Sequence, residues 1–234
     1  MTKGPESAHY VVAGAKPWNR RVFDEVIRAY PGAWSYVGSK DELAPAIEAT
    51  SPRYAFFLHW SWKVPPKVLE ATECVCFHMT DVPYGRGGTP LQNLIVRGHE
   101  RTMLTALRMV DEIDAGPVYA KRELDLHGSA EEIYVRSSRL AAEMIREIAT
   151  TEPKPEAQEG EVVAFSRRRP EDSAIPELAS PEAVYDFVRM LDADGYPPAF
   201  LDHRGFRYSF RRAVLYDGRV EADVTIAAIP DGGR

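Results

Sequence analysis

Short unbroken apolar runs alternate along the chain with stretches whose apolar residues recur every three or four positions, a pattern that predicts strands and helices in turn. Tyr10 to Ala13 reads as a first strand stopped by Gly14, and Arg20 to Ala29 carries Val22, Phe23, Val26 and Ile27 at helical spacing. Ala33 to Val37 predicts a second strand and Glu42 to Ala49 a helix. Tyr54 to Leu58 predicts a third strand, whose continuous apolar run fits a strand covered on both faces. Pro65, Pro66 and Val68 to Ala71 predict a short helix that leads into a strand at Cys74 to Phe77, and Leu91 to Arg97 begins another helix. Thr102 to Val110 and Val118 to Leu124 read as paired strands around a turn at Asp114. Ser129 to Ile148 reads as a long amphipathic helix opened by a capping box of Ser129 and Glu132.

Thr150 to Gly160, TTEPKPEAQEG, is polar and proline-bearing and reads as a linker or exposed loop. Beyond it lie a strand at Val162 to Phe165, a helix from Pro181 to Leu191 capped by Ser180, and two or three strands between Ala199 and Ile226. The last of these pair across an Asp217-Gly218 turn. The expected class is α/β: a Rossmann-like, mostly parallel sheet with flanking helices and a small C-terminal helix-plus-β appendage. The expected division is a core over residues 1–150 and a small α+β subdomain over 161–230.

Composition narrows the function. A chain of 234 residues, 44% apolar, builds one sizeable core with an appendage. Its net charge of −6 supplies no broad basic surface, so a nucleic-acid partner is not expected, although RRRP at Arg167 to Pro170 and the run Arg204 to Arg212 are locally basic. No apolar run approaches the ~20 residues of a membrane span, and Met1 to His9 lacks a signal-peptide apolar region. A cytoplasmic location without membrane contact is expected. Cys74 and Cys76 match neither a zinc pair nor a redox Cys-x-x-Cys, and no metal site is expected.

The densest chemistry lies in VCFHMTDVPYGRGGTPLQNLI, Val75 to Ile95, followed by DEIDAG at Asp111 to Gly116. His78 ends an apolar strand ahead of a Gly-rich loop, and Asp114 ends another beside an Ala-Gly turn. Side chains at the carboxyl ends of neighbouring strands converge on one crevice, so His78 and Asp114 are expected to meet. A histidine titrates near neutrality and suits proton transfer.

The order strand, Phe-His, Pro-Tyr-Gly-Arg-Gly-Gly-x-Pro, helix, strand, Asp-Ala-Gly resembles the core of the 10-formyltetrahydrofolate-dependent formyltransferases, most densely from Phe56 to Ala120. The resemblance implies 10-formyltetrahydrofolate as co-substrate and His78 and Asp114 as catalytic residues. The family's third catalytic residue, an asparagine that donates to the oxyanion, is here Cys76, a much weaker donor. Asn93 or Gln92, or backbone N–H groups, are the expected substitutes, and Cys76 is read as a tolerated departure. The resemblance places the folate against Trp62, Lys63 and Val64, against Asp111, Glu112 and Ile113, and near Arg86. Lys16, Trp18 and Asn19, after the first strand, are expected to contact the acceptor. The segment Val184 to Ala213 resembles the short C-terminal region of sugar N-formyltransferases. The expected acceptor is therefore the amine of a nucleotide-linked amino sugar, such as a UDP- or dTDP-4-amino-4,6-dideoxyhexose. A small amine or hydroxylamine acceptor, a folate-binding relative without catalysis, and assembly as a homodimer stay open.

Overall fold

The computed structural model describes residues 8–229. The chain divides into two compact units, one of Met1–Gly87, Thr102–Leu124 and Tyr134–Ala164, the other of Gly88–Arg101, Asp125–Ile133 and Phe165–Arg234.

The first unit is built on a six-stranded sheet. Strands β1 (His9–Gly14), β2 (Ala33–Val37), β3 (Tyr54–Leu58), β4 (Glu73–His78), β6 (Arg101–Arg108) and β7 (Val118–Asp125) lie in the order β2-β1-β3-β4-β6-β7. The first four are parallel, and β6 runs antiparallel to β4, with Cys76 opposite Leu107 and His78 opposite Thr105. This is the Rossmann-like, mostly parallel sheet that the sequence predicts. Alternation along β1 and β3 divides two cores. Val11, Ala13, Ala55 and Phe57 pack with Leu43 and Ile47 of α2 (Lys40–Thr50) and Val68 of α3 (Pro66–Ala71). On the other face the Tyr10 hydroxyl donates to the Ala149 carbonyl of α5 (Ala130–Thr151), 3.3 Å away. Covered twice, β3 has all five residues buried, which is why its sequence is apolar without alternation.

A charged clamp ties the other edge of these strands. Glu73, the first residue of β4, accepts from Arg53 just before β3 (2.9 Å), from Arg108 at the end of β6 (2.7 Å), and from the Tyr119 hydroxyl in β7. Burial opposes ionisation of Glu73, but the bonds from Tyr119, Arg53 and Arg108 outweigh it and hold its carboxyl below the usual range.

In the second unit, the predicted capping box is present: Ser129 N–H donates to Glu132 Oε2 at 2.8 Å, and the Glu132 N–H donates to Ser129 Oγ at 3.3 Å. Helix α6 (Pro181–Arg189) is capped by Ser180, whose Oγ accepts the Ala183 N–H. After the short strand β8 (Val163–Phe165), strands β9 (Ala199–His203), β10 (Phe206–Tyr216) and β11 (Arg219–Ala228) form an antiparallel sheet in the order β11-β10-β9, with Tyr216 paired to Arg219 across Asp217-Gly218. Two segments depart from the sequence expectation. Arg20 to Ala29 is not one helix: α1 (Pro17–Glu25) starts at a proline and stops before Val26, and a 3₁₀ turn over Ile27–Ala29 follows. The Gly-rich loop contains a strand, β5 (Tyr84–Gly87).

The clamp has a pH signature. Because the folded-state pKa of Glu73 is lowered, its contribution is fully present above the unfolded value near 4.3 and disappears as pH falls through the folded value. Glu73→Gln is expected to lower the melting temperature at pH 7 by roughly 3–6 °C, the scale of ~1.5 kcal/mol in a chain of this size. It should also flatten the loss of stability below pH 4.3, and a variant that follows the wild-type acid limb in thermal melts removes the clamp from the account.

Candidate active site

His78 closes β4 and is buried. Its Nε2 lies 2.8 Å from the Gly85 carbonyl, and a carbonyl only accepts, so Nε2 carries a proton. Its Nδ1 faces Asp114 Oδ2 at 3.4 Å, and that oxygen also accepts the Gly87 N–H at 2.9 Å. Both glycines belong to β5 and have positive φ, 77° and 106°, a region where a side chain costs about 1 kcal/mol or more. The histidine and the aspartate are thus pinned to one short glycine strand, each by a backbone group. A protonated His78 ring finds an acceptor at both nitrogens. A neutral one keeps Nε2–H and leaves its lone pair at Nδ1, beside the carboxylate.

Asp114 and His78 meet as expected, but not because neighbouring carboxyl ends converge. Since β6 is antiparallel, the Met109 N–H donates to the Cys74 carbonyl, near the opposite end of β4. The loop beyond Met109 must therefore fold back along β4 to reach His78. Asp114 takes a left-handed conformation (φ 54°) to do so. Gly116 is required at the return, since a Cβ there would lie 1.8 Å from the Arg108 carbonyl oxygen.

The other predicted residues fall into separate places. Cys76 lies between Phe57 and Leu107 in the sheet. Burial first, and the Asp114 charge second, push its thiol well above the ordinary range, so it is protonated at neutral pH and a poor nucleophile. Asn93, expected to replace the missing amide donor, is spent inside its own unit. Its Nδ2 donates to the carbonyls of Gly88 and Thr89 (both 3.1 Å) and Ser166 (3.0 Å), and its Oδ1 accepts from Arg97. Gln92 is buried, with Nε2 bonded to the Met190 carbonyl at 2.9 Å. Both amides hold the neighbourhood of α4 (Pro90–Val96) together.

Lys16, Trp18 and Asn19, expected to contact the acceptor, are engaged within the fold. Asn19 is 1% exposed, donating to Ser138 Oγ on α5 (3.0 Å) and accepting the Lys16 N–H (3.3 Å). Trp18 is buried and stacked on Tyr134 with ring centroids 5.5 Å apart, and the Lys16 ammonium lies 5.8 Å from the Trp18 ring. His59 packs against the same two rings, and burial, then the Lys16 charge, push its pKa down to about 4. These residues dock α1 onto α5 and the end of β3.

On the predicted folate loops, Val64 is buried, whereas Lys63, Asp111 and Glu112 are exposed and Trp62 and Ile113 leave 39% and 72% of their surface in solvent. Trp62 meets Trp60 edge-on at 4.8 Å. Arg86 is not an open cation: Nε and Nη2 donate to Gln158 Oε1 (3.0 and 2.8 Å) and Nη1 to Glu112 (3.2 Å). Sequence reasoning missed Gln158, which sits in the polar segment read as a linker and carries no motif.

Likenesses to known proteins extend over most of the chain. The methionyl-tRNA formyltransferase C-terminal domain model matches residues 170–227. The solved structure of methionyl-tRNA formyltransferase from Clostridium thermocellum is 41% identical, with a TM-score of 0.88 over 94% of this chain and 99% of that one. Methionyl-tRNA formyltransferase from Sulfurovum sp. is 23% identical over 69% of this chain and 54% of its own length, so the chain spans about half the length of that curated relative. HypX from Aquifex aeolicus, solved in complex with tetrahydrofolic acid, shares the fold at 20% identity and a TM-score of 0.70, over 88% of this chain and 38% of its own. The chain belongs to the formyltransferase family. These matches overturn the expectation of a nucleotide-linked amino sugar as acceptor without a nucleic-acid partner. That expectation rested on a short C-terminal likeness and on net charge, and net charge averages over the surface and hides local patches.

Two substitutions separate these roles. Cys76→Ser is expected to leave the protein folded and its formyl transfer substantially intact, and intact-mass analysis of the wild type with formyl donor should find no adduct on the thiol. Gly116→Ala should cost more than ~3 kcal/mol in denaturant melts, because the Arg108 carbonyl cannot yield to a Cβ at 1.8 Å without moving β6. A nearly neutral Gly116→Ala would mean that the loop is not packed as described.

Proposed function

We propose that this chain transfers the formyl group of 10-formyltetrahydrofolate to the amine of methionyl-tRNA. The observation that carries the reading is the His78–Asp114 pair held on β5, in a chain 41% identical to a methionyl-tRNA formyltransferase. The neutral amine attacks the formyl carbon, a C–N bond forms, and the carbonyl electrons move to oxygen. Collapse breaks the bond to N10 of the folate, which needs a proton, while the amine must lose one. Nδ1 of neutral His78, beside the Asp114 carboxylate, takes the amine's proton and returns it to the leaving nitrogen, so the pair ends unchanged. Asp114 is the counter-charge while the ring holds that proton.

The folate fits the two exposed loops. Trp62 and Ile113 leave large apolar surfaces in water that a flat pterin would cover, and the Lys63 ammonium suits the anionic tail of the co-substrate. A nucleic-acid acceptor is supported by a contrast between the two basic runs. In Arg204–Arg212, three of four arginines are neutralised: Arg207 by Asp202, Arg211 by Asp192 and Arg212 by Asp223. Around RRRP, neither Arg97 nor Arg167 nor Arg169 has a carboxylate within ion-pair reach among the described residues. Arg97 lies over the Phe165 ring at 4.6 Å. Unneutralised guanidinium groups beside an aromatic ring suit a phosphodiester backbone.

His78→Asn and Asp114→Asn should each fold, bind folate and lower kcat by ~100-fold or more, the scale of general acid–base catalysis. Near wild-type turnover in either would dismiss the pair. Arg167→Glu combined with Arg169→Glu should raise KM for methionyl-tRNA severalfold with little change in kcat, and should flatten the dependence of log KM on log salt. A changed KM for folate alone would place the patch elsewhere in the reaction.

A further inference from the structure

Gln158 stands in the segment whose composition predicts only a linker, yet its side chain is half-buried and every part of its amide is used. Nε2 donates to the carbonyls of Asp114 and Gly116, both at 2.8 Å, and Oε1 accepts Nε and Nη2 of Arg86 at 3.0 and 2.8 Å. The amide has one orientation, because carbonyls only accept and a guanidinium only donates. The segment is anchored two residues earlier, where Val118 and Glu156 exchange backbone bonds of 2.7 and 2.9 Å, so the side chain is delivered from a fixed backbone.

Those two carbonyls bracket the turn on which the site depends. Asp114 has φ 54°, a left-handed conformation that costs a non-glycine residue, and from it the carboxylate bonds Gly87 N–H and faces His78 Nδ1. Arg86, held on the other side of the same amide, lies between Gly85, the acceptor of His78 Nε2, and Gly87, the donor to Asp114. Gln158 thus couples the turn carrying Asp114 to the strand carrying both backbone partners of the pair.

We propose that Gln158 is a positioning residue: it clamps the Asp114–Gly116 turn to Arg86 of β5 and so holds the Asp114 carboxylate on His78. Its effect on turnover rests on the formyl-transfer reading, but its effect on the turn does not. Gln158→Glu keeps an acceptor for Arg86 and replaces the donor to the two carbonyls with an anionic oxygen, while Gln158→Ala removes both halves of the clamp.

Two readouts on the full chain test this. The first, independent of activity, is amide hydrogen exchange by NMR at Gly87, whose N–H is bonded to the Asp114 carboxylate. Exchange there should speed up about tenfold or more in both variants, with the β1 and β3 amides unchanged. The second is steady-state formylation of methionyl-tRNA. Here kcat should fall about tenfold in both variants, with KM for folate and for tRNA within twofold of wild type and melting temperatures close to it. Unchanged Gly87 exchange overturns the clamp whatever the activity. Faster exchange throughout the sheet, or melting temperatures that fall along with kcat, also overturns it, because Gln158 would then support the fold as a whole. A wild type that formylates nothing while Gly87 exchange still responds refutes the functional reading and leaves the clamp standing.

Discussion

The arrangement depends on one carboxylate oxygen. Asp114 Oδ2 accepts the Gly87 N–H at 2.9 Å and faces His78 Nδ1 at 3.4 Å, joining the end of β4, the glycine strand β5 and the loop between β6 and β7. Because β6 runs antiparallel to β4, that loop starts near the far end of β4 and must fold back along it. The left-handed Asp114 and the Cβ-free Gly116 are consequences of this path. Such a strained turn persists only when its surroundings over-determine it. Here they do so through Gly87, the Arg108 carbonyl and the Gln158 amide.

Electrostatics are organised differently at the two ends of the sheet. At the Glu73 end, a carboxylate is shared by two arginines and a tyrosine, and ionisation strengthens the fold. At the His78 end, the imidazole faces one carboxylate, and backbone groups of β5 complete the shell. Fixed backbone dipoles keep their orientation whichever protonation state the imidazole takes, which suits the proton transfer proposed for this pair. Cys76, flanked by Phe57 and Leu107 and facing the Asp114 charge, contributes neither a thiolate nor a strong donor.

Much of the first unit was legible in the sequence, because burial on both faces leaves the unbroken apolar signature of β1 and β3, and local capping chemistry marks the starts of α5 and α6. The meeting of His78 with Asp114 was legible as a motif, while its route was not, since nothing in the residues of β6 declares that it runs antiparallel. The packing of Trp18 and Asn19 was not legible for a different reason. A tryptophan and an amide after a first strand look alike whether they face a ligand or dock a helix, and only the stacking on Tyr134 and the bond to Ser138 distinguish the two. Gln158 was invisible because polar composition announces exposure, and one side chain reaching inward leaves no periodic trace. The acceptor was misjudged from net charge, which cannot tell arginines paired with carboxylates from arginines left without them.

The central claim is that neutral His78 carries its proton on Nε2, bonded to Gly85, and presents Nδ1 to Asp114 as the proton-accepting atom. Nitrogen NMR of the histidine ring, recorded across the pH range on the wild type and on Asp114→Asn, reads this directly. The account predicts that in the neutral form Nε2 is the protonated nitrogen and Nδ1 the bare one, and that Asp114→Asn changes the Nδ1 environment while Nε2 keeps its proton. A neutral ring with its proton on Nδ1 and a bare Nε2 would contradict it.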